Sequence, residues 1–166
     1  MAELRRAGPE DAAAVAEVHT RSWQSAYEHV FGAEKLAGID VERRRAGWER
    51  ALAEPTRDVF VAEEAGRVVG FVGTLPSRDP DAQGELGEIY AVPEAWGTGV
   101  GHALMAAAVE ALRARGYADA ILWVLADNPR ARAFYEREGW APDGGEKTDA
   151  FLGVAVREVR YRLSLG

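Results

Sequence analysis

The feature that most constrains the fold is a run of glycines between an apolar strand and an alanine-rich helix. Residues 85–92 predict a strand, Gly97, Gly99 and Gly101 follow at alternate positions, and residues 100–115 have the apolar spacing of a helix. Glycine lets the backbone adopt unusual dihedral angles and approach a ligand closely. The free N–H groups and the dipole at a helix start favour a phosphate. The segment therefore predicts a mixed α/β chain with a pyrophosphate-binding turn.

The remaining sequence alternates between helical and extended patterns. The predicted elements, in chain order, are a strand at 3–6, a helix opened by Asp11, a helix at about 40–54, strands at 59–62 and 68–72 joined as a hairpin, a strand at about 85–92, a helix at 100–115, a strand at 120–125, a helix opened by Asn128 and two strands within 146–165. The polar segment between the hairpin and the next strand predicts a loop. This order predicts one mixed α/β domain over residues 1–166.

Composition narrows the chemistry that such a chain can perform. The 166 residues are 48% hydrophobic and 28% charged, which suits a soluble chain with one buried core. The chain contains no cysteine, which excludes disulfides, zinc–cysteine sites and a thiol nucleophile. Its histidines are scattered without metal-ligand spacing, so we expect no metal site. Surface or helix-cap roles are the expectation for His19, His29 and His102.

Charge and hydropathy indicate which partners the chain has. The first six residues lead into polar sequence, unlike a secretory signal. No stretch approaches the ~20 apolar residues that span a bilayer. The net charge of −7 argues against nucleic acid, whose partners carry basic surfaces, and suits a cationic acceptor. We therefore expect a cytoplasmic protein with no membrane and no nucleic-acid partner.

The glycine turn fails two phosphate-binding patterns and fits a third. A P-loop requires Gly-Lys-Ser/Thr, but His102 and Ala103 follow Gly101. The dinucleotide fingerprint G-x-G-x-x-G fails because His102 stands where glycine or alanine is needed. The segment 96–101, Trp-Gly-Thr-Gly-Val-Gly, resembles the coenzyme A loop of the GNAT superfamily, (Arg/Gln)-x-x-G-x-(G/A), with Trp96 in the first place. That departure removes one side-chain contact to phosphate and leaves the backbone cradle; a glycine turn that binds nothing is the alternative.

A second segment carries the same resemblance. Residues 128–140 fit the superfamily's N-x-x-A-x-x-F-Y-x-x-x-G-(F/W) pattern at every fixed position, at the expected distance after the glycine loop. Ala131, Phe134 and Tyr135 fall on one helical face. The two motifs and the stretch between them cover 85–140, about a third of the chain. By this resemblance the chain is identified as a GNAT superfamily N-acetyltransferase.

The resemblance implies a fold, a reaction and a cosubstrate. The fold is an α/β (α+β) GNAT fold, with a mixed, mostly antiparallel sheet of six or seven strands, splayed at the fourth and fifth strands and flanked by about four helices. The reaction is transfer of an acetyl group from acetyl-CoA to a primary amine, by direct attack in a ternary complex. A small-molecule amine is the first expectation for the acceptor, and a protein N-terminus or lysine the second. A non-catalytic acyl-CoA-binding module is the rival interpretation, and the final strands could mediate a homodimer.

The resemblance also assigns the cofactor contacts. Backbone groups of the strand before the loop would pair with the pantetheine arm, and the loop would hold the pyrophosphate. Asn128 would bind near the arm, although it also serves as a helix cap. The cofactor-binding residues implied in this way are Ile89, Tyr90, Ala91, Trp96, Gly97, Thr98, Gly99, Val100, Gly101, His102, Asn128 and Tyr135.

Three catalytic candidates follow from the resemblance. Tyr135 would protonate the departing thiolate, unless its hydroxyl is simply buried in the core. Glu85 is the first candidate for the base that takes the amine proton, and Glu88 the second; either could instead be a solvated strand carboxylate. Simple alternation along a strand puts the two on opposite faces, so only one should face the cleft unless a bulge intervenes.

Acceptor contacts in this superfamily usually come from the N-terminal helices. Here the resemblance implies Trp23 and Tyr27, whose aromatic rings could hold an amine through cation–π contact. Packing in the hydrophobic core accounts for these two side chains equally well.

Overall fold

The computed structural model describes residues 2–166 as seven strands and six α-helices. The strands are β1 (Glu3–Arg6), β2 (Asp58–Glu64), β3 (Arg67–Pro76), β4 (Gly84–Ala91), β5 (Asp119–Leu125), β6 (Ala141–Phe151) and β7 (Val154–Ser164). The helices are α1 (Ala12–Ala26), α2 (Glu28–Phe31), α3 (Ala33–Ala37), α4 (Val41–Ala53), α5 (Val100–Ala114) and α6 (Pro129–Arg137). None of the helices in the described part of the chain is long and apolar enough to cross a membrane.

All seven strands form one mixed sheet in the order β1-β2-β3-β4-β5-β7-β6. Every neighbouring pair is antiparallel except β4 and β5, which are parallel and joined by α5. The tight β2–β3 turn places Ala65 and Gly66 at positive φ, as a two-residue hairpin of right-handed twist requires. The predicted mixed, mostly antiparallel sheet is confirmed.

Two regions differ from the sequence prediction. The glycine-flanked segment after α1 folds into the short helices α2 and α3, so the described chain has six helices where about four were expected. The strand β6 begins at Ala141 and not within 146–165, because Ala141 and Pro142 already pair with β7 before a register shift. Proline and paired glycines conceal this extended segment in the sequence.

Helices cover both faces of the sheet. On β3, the side chain of Phe71 contacts His19 of α1 and Trp48 of α4. A Cβ on the preceding residue, Gly70, would meet Leu104 of α5 at 3.0 Å, so the opposite face packs against α5. The site described below therefore lies in a sheet that is fixed from both sides.

The sheet opens between its two parallel strands. Only Gly84 and Glu85 of β4 pair with β5, through Ala120 and Ile121. Beyond these two pairs, the strands separate, and no other strand formed by residues 2–166 pairs with the rest of β4 on that side. The predicted splay at the fourth and fifth strands is confirmed, and it creates the cleft that holds the candidate site.

Candidate active site

A cavity of about 680 Å³ occupies the opening between β4 and β5. Its walls come from α1, β4, β5, α6 and the β6–β7 hairpin, and it extends from the glycine loop to the acidic side chains at the start of β4. Cavities of this size are typical of small-molecule and cofactor sites. Most of the residues that the sequence selected line this one space.

The glycine loop presents several free backbone N–H donors at one end of the cavity. Gly97 and Gly99 have φ of +75° and +92°, a region that side chains rarely adopt. Across residues 2–166, no acceptor bonds the N–H groups of Gly97, Gly99, Val100, Gly101 or His102. Free N–H donors at the start of a helix can bind a pyrophosphate, so the residues of this loop fit coenzyme A.

The space over the loop is kept open by the absence of side chains. A Cβ at Gly97 or Gly99 would meet no atom of the described residues within 4 Å and would project from the loop surface. A Cβ at Gly101 would lie 3.2 Å from the ring of Phe134, so glycine there lets α6 pack closely. The segment 128–140 thus packs directly against the glycine loop through Phe134.

Trp96 replaces the arginine or glutamine of the superfamily pattern, and a guanidinium from α6 covers it. Its indole N–H donates to the carbonyl of Ala91 at 2.8 Å, which fixes the ring at the end of β4. The guanidinium carbon of Arg130 lies 3.7 Å from the ring centroid, in cation–π geometry. Both residues line the cavity, so Arg130 of α6 supplies a positive charge beside the position where the superfamily pattern has arginine or glutamine.

The open edge of β4 offers backbone groups along the cavity. Val92 donates its N–H to Val69 of β3 at 2.9 Å. Because bonding directions alternate along a strand, Ile89 and Ala91 direct their N–H and C=O groups toward the cleft, whereas those of Tyr90 face β3. The Ala91 carbonyl is already bonded by the Ser22 hydroxyl at 3.1 Å and by the Trp96 indole. The free groups on this edge are therefore those of Ile89 and the N–H of Ala91.

The predicted acceptor residues form a linked aromatic group at the end of α1. The Trp23 indole N–H donates to the Tyr90 hydroxyl at 3.1 Å, and the Asn128 amide donates to the Tyr27 hydroxyl at 3.2 Å. Asn128 also caps α6, accepting from the Ala131 N–H at 3.2 Å. Trp23 and Tyr27 are buried and also line the cavity, so each side chain packs in the core and offers one side to a ligand.

Tyr135 is buried in α6 and lines the cavity, only 8% exposed. Its hydroxyl has no hydrogen-bond partner within the described residues. Burial, with a smaller contribution from the nearby Tyr27, raises the pKa of the Tyr135 hydroxyl above its ordinary value. The group is therefore protonated at neutral pH and free to donate into the cleft.

A bulge at Gly87 changes the relation between the two candidate bases. Glu88 pairs with Gly73, but the next pair is Leu86 with Thr74, so Gly87 is an extra residue on β4. A Cβ at this position would lie 2.9 Å from the side chain of Leu75. The inserted residue reverses the alternation, and Glu85 and Glu88 face the same side of the sheet. Both line the cavity, in the geometry that simple alternation excluded.

Glu88 is held by one arginine in a confined space. The Arg57 guanidinium donates to its two carboxylate oxygens at 2.8 and 3.1 Å. A Cβ at Gly73 would lie 2.6 Å from a Glu88 oxygen, so glycine makes room for the carboxylate. Burial raises the pKa of the Glu88 carboxyl, and the arginine opposes this only in part. Its side chain keeps 22% exposure, toward the cleft.

Glu85 is more deeply buried and more fully bonded. Its side chain is 2% exposed, it accepts from the Arg78 backbone N–H at 3.0 Å, and it is ion-paired with the Arg78 guanidinium. Arg78 lies in the loop before β4, which the sequence described only as polar. The pair fastens this loop over the start of the strand.

Sequence reasoning missed several cavity residues, among them the acid–base groups His19 and Glu158. His19, expected at a surface or helix cap, is half-buried among Trp23, Trp48, Phe71 and Tyr90, and burial lowers its pKa to about 3. Its Nδ1 accepts from the Trp48 indole at 3.3 Å, so it is neutral. Glu158 of β7, 6% exposed, also lines the cavity.

The other two histidines match their expectation. His29 is exposed and contacts the Asp127 carbonyl at 3.1 Å. His102 is exposed and paired with Glu138 at 2.9 Å, beside the glycine loop.

Comparison with known proteins agrees with this geometry. The acetyltransferase (GNAT) family model matches residues 13–140. The uncharacterized N-acetyltransferase YuaI of Bacillus subtilis is 31% identical over 96% of this chain and 91% of its own length. Mycothiol acetyltransferase of Streptomyces bingchenggensis is 42% identical over 55% of this chain and 30% of its own length.

A solved structure shows the same fold. YncA of Salmonella typhimurium, determined with its cofactor acetyl-CoA, superposes with a TM-score of 0.75 at 20% identity, covering 100% of this chain and 95% of that one. Two sequence motifs, a splayed sheet and a matching family model thus agree. The chain belongs to the acetyltransferase (GNAT) family and is an N-acetyltransferase with acetyl-CoA as its cosubstrate.

Proposed function

We propose that this enzyme acetylates a primary amine of a small molecule, with Glu88 as the base and Tyr135 as the acid. One observation carries the proposal: a partly exposed carboxylate of raised pKa and a hydroxyl without a partner among residues 2–166 line the same cavity. A domain that only binds acyl-CoA needs neither group. The thioester supplies the activated acetyl group when the cosubstrate is bound.

The proposed binding of the cosubstrate uses both ends of one strand–loop unit. The free N–H groups of Gly97 and of residues 99–102 would hold the pyrophosphate, and Arg130 on Trp96 would add a positive charge beside it. The open edge of β4 at Ile89 and Ala91 would pair with the pantetheine amides. The cap residue Asn128 has one amide hydrogen left beside the cleft.

Glu88 suits the base better than Glu85. An alkyl amine has a pKa near ~10.4, so an ordinary carboxylate at about 4.3 is poorly matched to take its proton. Burial raises the pKa of Glu88 and reduces this mismatch. Arg57 orients the Glu88 carboxylate, which stays exposed to the cleft. Glu85 is enclosed and bonded to Arg78, which suits a positioning role.

The loop before β4 is tied to β7 beside the acceptor end of the cavity, which favours a small acceptor. Asp79 and Asp81 of this loop accept from Arg160 of β7 at 3.1 and 2.8 Å. Asp79 lines the cavity, so these ion pairs hold the loop against the β6–β7 hairpin next to the site. A protein acceptor would need an open groove at this position.

The test measures thiol release from acetyl-CoA against a panel of amines, amino acids, aminoglycosides and peptides. We expect turnover that depends on one amine class and falls about 10²-fold in Tyr135→Phe. The matched control is Tyr117→Phe, on a tyrosine between α5 and β5 that does not line the cavity. Peptide-dependent turnover would overturn the small-molecule assignment, and binding of acetyl-CoA without turnover on any amine would overturn the enzymatic one.

A further inference from the structure

Glu158 differs from every other buried acidic side chain of the cavity. It lies on β7, between Leu125 of β5 and Lys147 of β6 in the register of the sheet, and is 6% exposed. Glu85 and Glu88 each accept hydrogen bonds from an arginine. Within the described residues Glu158 accepts none, and its one ion pair, with Lys147, spans 4.0 Å.

The Glu158 carboxylate receives no hydrogen bond from the described residues, and its oxygens are not among the fully buried atoms there, so they reach the cavity. Buried charges are normally paired and hydrogen-bonded, and exceptions call for a functional explanation. Burial also raises the pKa of the Glu158 carboxyl, with only partial opposition from Lys147 and Arg78. The side chain opens onto the cavity, where a ligand can supply hydrogen-bond donors.

Lys147 is a weak and replaceable partner. Its ammonium nitrogen lies 4.3 Å from the ring centroid of Trp123, and its side chain is 40% exposed. The lysine is therefore held by the aromatic face as much as by the carboxylate. A cation that enters the cavity can take its place beside Glu158, with Trp123 as a second favourable surface.

The sheet order sets where this carboxylate lies relative to the proposed base. Glu88 is on β4 and Glu158 on β7, with β5 between them. Neighbouring strands are about 4.8 Å apart, so two spacings amount to roughly 10 Å, and the splay increases this. A short chain with an amine group at each end can therefore place one group at each carboxylate.

We infer that Glu158 binds the second, non-reacting ammonium group of a diamine acceptor. This inference depends on the proposed function, in which the reacting amine lies at Glu88. Glu158 is then a specificity-determining residue, and monoamines are poor substrates because they leave it without a donor.

The experiment compares α,ω-diamines from 1,3-diaminopropane to 1,6-diaminohexane with monoamines of equal carbon number. For the best diamine we expect kcat/KM about tenfold above its monoamine, the size expected for a charge-assisted hydrogen bond. Glu158→Gln should raise KM for the diamine about tenfold, leave kcat nearly unchanged and leave the monoamine unaffected. Glu146→Gln is the control, on an exposed carboxylate of β6 outside the cavity.

Two further variants and measurements separate binding from a structural role. Lys147→Met should lower KM for the diamine, because it removes the competing cation. Thermal unfolding without acceptor should show Glu158→Gln at least as stable as the natural chain at neutral pH, since the charge it removes has no donor. A lower Tm, or an equal loss with monoamine and diamine, would overturn the inference.

Failure of the proposed function gives a different result. If no amine supports thiol release, calorimetry of 1,4-diaminobutane with the coenzyme A-bound protein replaces kinetics. Binding that is lost in Glu158→Gln would uphold the cation site without catalysis, and absence of binding would overturn it.

Discussion

The two ends of the cavity are built in different ways. At the glycine loop, the ligand-facing groups are backbone N–H donors on consecutive residues, with Arg130 as the added cation. At the acceptor end they are carboxylates from two strands, Glu85 and Glu88 of β4 and Glu158 of β7, together with Arg57 and Arg78. The first end suits an anion and the second a cation.

This difference in construction explains why the glycine-loop end identifies the family, whereas the carboxylate end does not identify the acceptor. A backbone cradle needs glycines at fixed spacing, and any chain with this cofactor can use it. A side-chain site is assembled from positions far apart in sequence, so each can change independently. The following predictions test this division, because a change at one end should leave the other end unaffected.

The largest expected effect comes from the proposed base. Glu88→Gln should lower kcat about 10²-fold or more, with the Kd of acetyl-CoA unchanged, because proton removal is lost and the cradle is intact. A base works when deprotonated, so kcat should rise with pH as Glu88 loses its proton. Because burial raises the pKa of Glu88, this rising limb of the pH–activity profile should lie above the ordinary carboxyl range. The rising limb should be missing in Glu88→Gln. Glu85→Gln is the control, and an equal loss of the limb there would reassign the base.

The next effect tests the backbone cradle. Gly99→Ala places a side chain at a φ of +92°, which costs about 1–2 kcal/mol and shifts the first N–H groups of α5. The Kd of coenzyme A should rise about tenfold, with kcat at saturation nearly unchanged. Gly116→Ala, at a φ of +82° after α5, is the matched control for strain alone. Equal Kd values in the two variants would contradict the role of the loop.

A smaller effect tests the space around the base. Gly73→Ala would place a Cβ 2.6 Å from a Glu88 oxygen, so the carboxylate must move. We expect kcat to fall about fivefold through misplacement of the base, without a change in coenzyme A affinity. Gly47→Ala in α4, where the nearest atom is 3.9 Å away, serves as the control. An unchanged kcat would show that the carboxylate has another productive position.

The smallest effect tests the substitute cation at the loop. Arg130→Ala should weaken coenzyme A binding about threefold, in line with a partly exposed charge, and leave kcat unaltered. Trp96→Arg in the same variant should recover the affinity, because it restores the superfamily's residue at the loop. Arg43→Ala, on the exposed side of α4, controls for net charge. The Kd of coenzyme A is measured by calorimetric titration. If the double variant binds coenzyme A as weakly as Arg130→Ala alone, Arg130 does not substitute for the superfamily's residue at position 96.

Much of the cofactor end could be predicted from local sequence. The loop glycines, the Asn128 cap and the Phe134–Tyr135 pair all depend on contacts within one strand–loop–helix unit and its partner helix. The splay between β4 and β5 followed from the same resemblance and is confirmed. The Trp96–Arg130 pair was not predicted, since the two residues meet only when α6 packs beside the loop.

The acceptor end shows where local reasoning stops. Alternation placed Glu85 and Glu88 on opposite faces, and one inserted residue, Gly87, brought them to the same face. His19 had no signal in the sequence for burial among aromatic rings on its own helix and three other elements. Glu158 sits in an ordinary alternating strand, and only the sheet order places it beside the cavity.

The sequence by itself determined the family, the mixed sheet, the cosubstrate and the loop that suits it. These depend on backbone conformation and on spacing along the chain, which residue types specify directly. Tertiary structure alone decided which carboxylates share a face, which arginine orients Glu88, and that Glu158 has no hydrogen-bond donor in the described part of the chain. The pKa of a side chain, its orientation and its partners depend on atoms brought together from distant positions, and no local pattern in the chain encodes them.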